Sequence, residues 1–195
     1  MTIFDLLFIV VVFASVATLA VVITSALRGR FSQAVKLLAL YGVCLAFYLG
    51  VIVVVSLASP QRILALGENR CFDDWCIAVD DAARSESLTE AVYTVTVRLS
   101  NRAKRVSQRE NGVVVYMMDE KGRQFEAAAD PSAAPFNLLL QPGQFVTTTR
   151  TFQVSGASGQ LELVVGHDGL SSFPGRFIIG DDSSLFHKPT IVRLP

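Results

Sequence analysis

The chain runs to 195 residues, with 17 lysines and arginines balanced by 17 aspartates and glutamates, and 51% of its residues are hydrophobic. Zero net charge leaves no basic field to attract a polyanion, so nucleic acid is excluded as an expected partner. The length allows one domain of ordinary size with an appendage, and the hydrophobic excess lies in roughly the first 60 residues.

Two apolar runs fill that first third, residues 6–27 and 37–58, and neither holds a charged side chain. Each is about 22 residues long, enough to cross the ~30 Å hydrocarbon core of a bilayer as an α-helix. The loop between them, residues 28–36, carries Arg28, Arg30 and Lys36 and no acid, whereas the N-terminus offers Asp5 and no Lys or Arg. By the positive-inside bias of short loops, the loop is expected in the cytoplasm, and the N-terminus and the C-terminal domain on the extracytoplasmic side. Arg62 and Arg70, just beyond the second run, oppose that bias. A cleaved signal peptide has a basic start and an apolar core of about 7–15 residues, and the first run meets neither criterion. The expected address is therefore a cytoplasmic membrane, with the first 60 residues forming a two-pass hairpin in lipid.

Within the second run, Gly42, Cys44, Ala46 and Gly50 are small, and Gly42 and Gly50, eight apart, lie near one stripe of a helix. Small residues let helix backbones approach closely in lipid. Ala14, Ala17 and Ala20 of the first run are candidates for the opposing stripe. Gly42 and Gly50 are thus expected at a packing surface, either within the hairpin or against other membrane helices. With no acid, base or histidine inside either run, no ion path is expected.

A connector, residues 61–70, leads to an expected extracytoplasmic domain over residues 71–195. There the hydrophobic period changes from helical to alternating. Tyr93, Val95, Val97 and Leu99 face one way and Thr94, Thr96 and Arg98 the other, which is a half-buried strand. Val113–Met118 is a second strand, followed by a turn at Asp119, Glu120, Lys121 and Gly122 and a hairpin partner over residues 124–127. Pro142 and Gly143 occupy turn corners ahead of the strand Phe145–Val154. Residues 161–165 alternate, and 177–179 and 190–194 are shorter strand candidates. Residues 82–90 suggest a helical turn or a crossing segment. Six or more short strands, separated by Gly, Pro, Asp and Ser clusters, predict an antiparallel β-sandwich of immunoglobulin-like form.

The succession of a strand ending in Asn101, a basic bend, a strand ending in Asp119 with Gly122 beyond it, the Pro142–Gly143 turn and a Thr- and Phe-rich strand resembles a bacterial extracytoplasmic immunoglobulin-like family, often described as telokin-like. The resemblance covers roughly residues 91–166. It implies a β-sandwich held by defined turns and implies no activity, because these motifs encode turn geometry. Family members are usually secreted or lipid-anchored by a single N-terminal signal, a pattern from which a two-span hairpin departs.

Cys71 and Cys76 bracket Phe72, Asp73, Asp74 and Trp75 at the start of the domain. In an oxidising compartment a disulfide is the default, and a tight turn at Asp73 and Asp74 would bring the pair within bridging range. The alternative is a redox or metal-binding domain that joins Cys71 and Cys76 with His167 or His187, the only histidines. Against it, both histidines read as solvated loop residues. Arg98, Arg102, Lys104, Arg105 and Arg109 form one basic cluster, which suits an acidic partner surface or anionic lipid, or else a solvated hairpin tip. The acid pairs Asp73–Asp74, Asp80–Asp81 and Asp181–Asp182 read as turn residues, and Trp75 as a plug of the sandwich core or of its membrane-facing end. Neither a nucleophile elbow nor a phosphate-binding glycine loop is present, so no catalytic residue and no cofactor is expected. The expected function is that of a non-catalytic interaction module, an accessory or scaffolding subunit of a larger membrane-associated complex, with the bilayer and other membrane or extracytoplasmic subunits as partners.

Overall fold

The structure, a computed structural model of the chain, describes residues 2–86, 91–156, 160–168 and 173–194. The chain divides into two compact units, one of Met1–Pro60 with Phe173–Lys188, the other of Gln61–Ser172 with Pro189–Pro195.

The first unit is built on two helices, α1 (Ile3–Leu27) and α2 (Phe31–Ala58), both long and apolar enough to cross a membrane by length and composition. Thr2 caps α1: its side chain accepts from the Asp5 N–H while the Asp5 carboxylate accepts from the Thr2 N–H, a reciprocal capping box. Gly29, at φ +74°, supplies the left-handed residue that stops α1. Because α2 begins at Phe31, the turn shrinks to Arg28, Gly29 and Arg30, and Lys36 lies on the helix.

In α1 the half-buried positions include Phe8, Val11, Ser15, Thr18, Val22 and Ser25, alternating three and four apart. This is the period of an antiparallel helix pair packed at a shallow angle. The Ser15 and Tyr41 hydroxyls bond across that seam. Phe173–Lys188 adds a loop to this unit. Residues 177–179, expected as a strand, instead contribute Phe177 to a 3-10 turn over Gly175–Phe177.

The second unit is a β-sandwich. Its strands are β1 (Ile63–Leu64), β2 (Asn69–Phe72), β3 (Trp75–Glu86), β4 (Ala91–Asn101), β5 (Val113–Met118), β6 (Gln124–Glu126), β7 (Phe145–Val154), β8 (Glu162–His167) and β9 (Ile191–Arg193). One sheet has the order β1-β9-β8-β5-β6 and the other β2-β3-β4-β7. All pairings are antiparallel except β1 with β9. The core lies between the sheets. Trp75, Ile77 and Val79 of β3, Tyr93, Val95, Val97 and Leu99 of β4, and Phe152 of β7 meet Val115 and Met117 of β5 and Leu163 and Val165 of β8. Trp75 is fully buried, so of its two expected positions the core is the one found.

Three features depart from the sequence reading, the first being that residues 61–70, expected as a connector, supply β1 and the start of β2. Residues 82–86, suggested as a helical turn or crossing segment, continue the 12-residue strand β3, and residues 87–90 lie outside the described set. Asp80 and Asp81 are not in a turn: a bulge between Val79 and Asp81 shifts the register, so that Ala82 rather than Asp81 returns to the core side opposite Val95. A feature on which the sequence reading is silent is that β7 directs Arg150 inward. Its guanidinium donates to Thr148 Oγ1, Thr149 O and Ala134 O and covers the Phe136 ring at 4.4 Å. Burial among these groups lowers the Arg150 pKa from its ordinary value.

Candidate interaction surfaces

At one end of the second sheet the chain reverses through Asp73 and Asp74. Asp73 takes φ +54°, a left-handed conformation that Asp tolerates, and Phe72 faces Trp75 across the turn. This sets Cys71 directly opposite Cys76, with Cα atoms 3.9 Å apart and the sulfurs bonded. The bridge therefore staples β2 to β3. In the chain-entropy description, a loop closed by cysteines five apart is worth about 2 kcal/mol. Replacing both cysteines with serine is expected to lower sandwich stability by about that amount, seen as an earlier urea midpoint in Trp75 fluorescence. An unchanged midpoint would assign the staple no structural weight.

Beside this turn, β4 ends at Asn101, which is 2% exposed. Its backbone exchanges hydrogen bonds with Gln144 O and Gly143 N, and its side chain makes three more. Asn101 Nδ2 donates to Val106 O and Leu140 O, both at 2.9 Å, and Oδ1 accepts from Ala103 N at 2.8 Å. The following loop is thus clamped from inside. Arg102 N also donates to Asp74 O at 2.8 Å, tying the loop to the disulfide turn.

The clamp divides the predicted basic cluster. Arg98, on the outer face of β4, is held by Asp80 through bonds of 2.8 and 2.9 Å, and this hydrogen bonding raises its already high pKa. Arg102, Lys104, Arg105 and Arg109 are exposed on the clamped loop. Two apolar side chains stand with them: Val106, 60% exposed, and Phe145, 66% exposed. A depression of about 470 Å³ runs between Arg98, Ser100, Asn101, Arg102, Gly143 and Phe145. Exposed cations on a loop that also exposes an apolar side chain, next to a depression lined by Arg102 and Phe145, fit an acidic, partly apolar partner surface. Sequence reasoning found the cations and missed Phe145. The signal was present, since Phe145 shares its face of β7 with Thr147 and Thr149 and breaks an otherwise polar pattern.

The two histidines belong to different units. His167 ends β8, where Nε2 lies 2.8 Å from Glu110 Oε1 and the ring packs 4.2 Å from that of Phe72. It is a half-buried strand residue rather than a solvated loop residue. His187 belongs to the other unit, its Nδ1 2.8 Å from Lys188 O. Among the described residues no three His, Cys, Asp or Glu side chains form a group able to hold a metal ion.

In the helical unit, Gly42 and Gly50 face away from the seam, and a Cβ on either would meet open space. Ala14, Ala17 and Ala20 are likewise exposed, so the small-residue stripes do not close the hairpin on itself. Gly50 instead forms part of a shallow apolar groove of about 300 Å³ with Phe47, Val51, Val54 and Val55. A different stripe of α2, Tyr48, Ile52 and Ser56, receives the loop Phe173–Lys188. Tyr48 Oη donates to Phe177 O at 2.6 Å, and the Ser56 and Ser184 hydroxyls, both buried, bond at 2.7 Å.

Neither a family model nor a curated protein sequence matches the chain. Among solved structures, the chain is similar to MPT63, a secreted protein from Mycobacterium tuberculosis, at 17% identity over 58% of this chain and 94% of that one, with a TM-score of 0.41. It is similar to the yjhA protein from Bacillus subtilis at 14% identity over 67% and 98% of the two chains, with a TM-score of 0.44. An uncharacterized β-sandwich protein from Clostridium difficile matches at 7% identity over 70% and 96%, with a TM-score of 0.42.

Proposed function

We propose that the chain is a non-catalytic, membrane-anchored interaction module, an accessory or scaffolding subunit of a larger membrane-associated assembly. The observation that carries this reading is the loop clamped by Asn101, which carries the exposed Arg102, Lys104, Arg105 and Arg109 with exposed Val106, Arg102 sharing a depression with Phe145. A fixed, basic and partly apolar surface suits recognition of an acidic protein partner, because its contacts are ordered before binding.

Anchoring rests on α1, which is apolar around its circumference and has no buried residue over 25 positions. Such a helix needs lipid or other membrane helices around it. In this reading α1 and α2 span a bacterial inner membrane with Arg28 and Arg30 on the cytoplasmic side. The sandwich then lies outside, where the compartment favours the Cys71–Cys76 bridge. We read the sandwich as immunoglobulin-like, of the telokin-like kind, on its Asn101, Asp119–Gly122 and Pro142–Gly143 turns. In the second of these the Asp119 carboxylate accepts from Lys121 N and Arg123 N while Gly122 takes φ +77°.

The test is extraction of the native protein from its own membranes in mild detergent, then native electrophoresis and mass spectrometry. The expected result is a stoichiometric complex from which a Lys104→Glu, Arg105→Glu variant is released. Migration of the wild-type chain alone would overturn the reading.

A further inference from the structure

We propose that the loop Phe173–Lys188 is an interfacial anchor that seats the rings of Phe173 and Phe186 among lipid headgroups beside α2. The proposal rests on the reading of α1 and α2 as membrane spans, and it goes beyond that reading by assigning the membrane contact to a segment far from both spans in sequence.

The position along α2 is the first argument. Tyr48, Ile52 and Ser56 recur every fourth residue, so they form one stripe about 12 Å long. Ile52 and Ser56 are fully buried, and Ile179 of the loop is 8% exposed. Counted from the turn at Arg28–Arg30, a hydrocarbon core of ~30 Å takes up about 20 helical residues. Its far boundary then falls near Gly50, and counted along the apolar run 37–58 it falls near the end of that run. In both counts the stripe reaches the zone between lipid tails and headgroups, the level where Tyr and Trp concentrate and where Tyr48 supplies a polar tip.

The loop's own chemistry is the second. Phe173 and Phe186 are 67% and 68% exposed, an unfavourable arrangement in water for two large rings. Phe186 is held at φ +64°, a region bulky side chains avoid, and strain retained at one residue is a marker of function. Its neighbours fix it there, Leu185 N donating to Arg176 O at 3.2 Å and His187 N to Ser184 O at 3.0 Å.

The backbone is suited to a low-water setting, because the turn satisfies many of its own polar groups. Phe177 N donates to Pro174 O, Ile178 N to Gly175 O and Ser184 N to Asp181 O, at 2.9–3.0 Å. Asp181 Oδ1 accepts from Ser183 N at 2.7 Å. Arg176 and Lys188 are balanced by Asp181 and Asp182, so seating depends on the rings and not on anionic lipid.

The experiment uses the full chain in phosphatidylcholine vesicles carrying bromine near the headgroup end of the acyl chains, with single Phe173→Trp, Phe186→Trp and Phe13→Trp variants. Phe13, 70% exposed on α1, reports the span, and buried Trp75 is a constant background. The expected result is loss of at least half the introduced emission at positions 173 and 186 in brominated vesicles, with little quenching by aqueous iodide and no dependence on salt. Iodide quenching at 173 and 186 with lipid quenching at 13 would overturn the proposal while leaving the spans intact. Absence of lipid quenching at all three positions would overturn the spans and the proposal together.

Discussion

Replacing Phe152 with alanine is expected to lower the stability of the sandwich by about 3–5 kcal/mol. Phe152 is fully buried on β7, opposite Tyr93 of β4, and belongs to the cluster shared by both sheets. Its removal forfeits the transfer free energy of the ring and leaves a cavity that two hydrogen-bonded sheets close only in part. Domains are stable by about 5–15 kcal/mol, so this one change removes a large share of the total. Trp75 is the single tryptophan and lies in the sandwich core. Its fluorescence in urea, with the full chain in mild detergent, therefore reports the sandwich and not the helices. A loss below about 1 kcal/mol would show that the core closes over the site instead of holding a cavity. Thr149→Ala, on the exposed face of the same strand, should stay within about 0.5 kcal/mol and serves as the reference.

Asn101→Ala is expected to cost about 2–3 kcal/mol, because one change strands Val106 O and Ala103 N and leaves Leu140 O with only its bond from Gln108 N. The same fluorescence measurement checks it. Its effect on association separates it from charge reversal. Lys104→Glu with Arg105→Glu alters exposed side chains and should leave stability within about 0.5 kcal/mol of wild type while releasing the proposed partner. Asn101→Ala keeps every cation, unclamps the loop, and should both lower the midpoint and weaken the complex. Retention of full stability in Asn101→Ala would mean that water replaces all three bonds, and the loop would then not be a rigid surface.

Much of the second unit was readable from alternation alone. β5 and β7 occupy the residues their patterns mark, because each buries one face over an uninterrupted run. β3 was not readable for a specific reason: the bulge at Asp80 places two acids in succession, and Ala78, Ala82 and Ala83 supply little strand propensity. In the helical unit, composition pointed to glycine and alanine stripes, whereas the seam contains Ser15, Thr18 and Tyr41. Small size alone does not say which face of an apolar helix meets its neighbour. The loop Phe173–Lys188 was the least legible element. A three-residue apolar run between glycines fits a strand as well as a turn, and its anchoring bond joins Tyr48 to Phe177, 129 positions away. For the basic cluster the sequence located the charges. Which of them are engaged depended on a cross-strand partner, Asp80, that no local spacing marks.

The inward turn of Arg150 bears on whether copies of this chain can join edge to edge. β7 is an edge strand of ten residues, and an edge of that length is a template on which another chain can add a strand. The anchoring proposed above would concentrate copies in a plane and raise that hazard. Near Arg150 the edge is already occupied, with Ala128 N donating to Thr151 O, Ala127 bridging Phe152 and the guanidinium holding Ala134 O. An incoming strand there would have to displace those residues and strip a half-buried cation of its acceptors. Sheet extension is thereby confined to the first half of β7, about 17 Å of backbone, a length on which few rungs form.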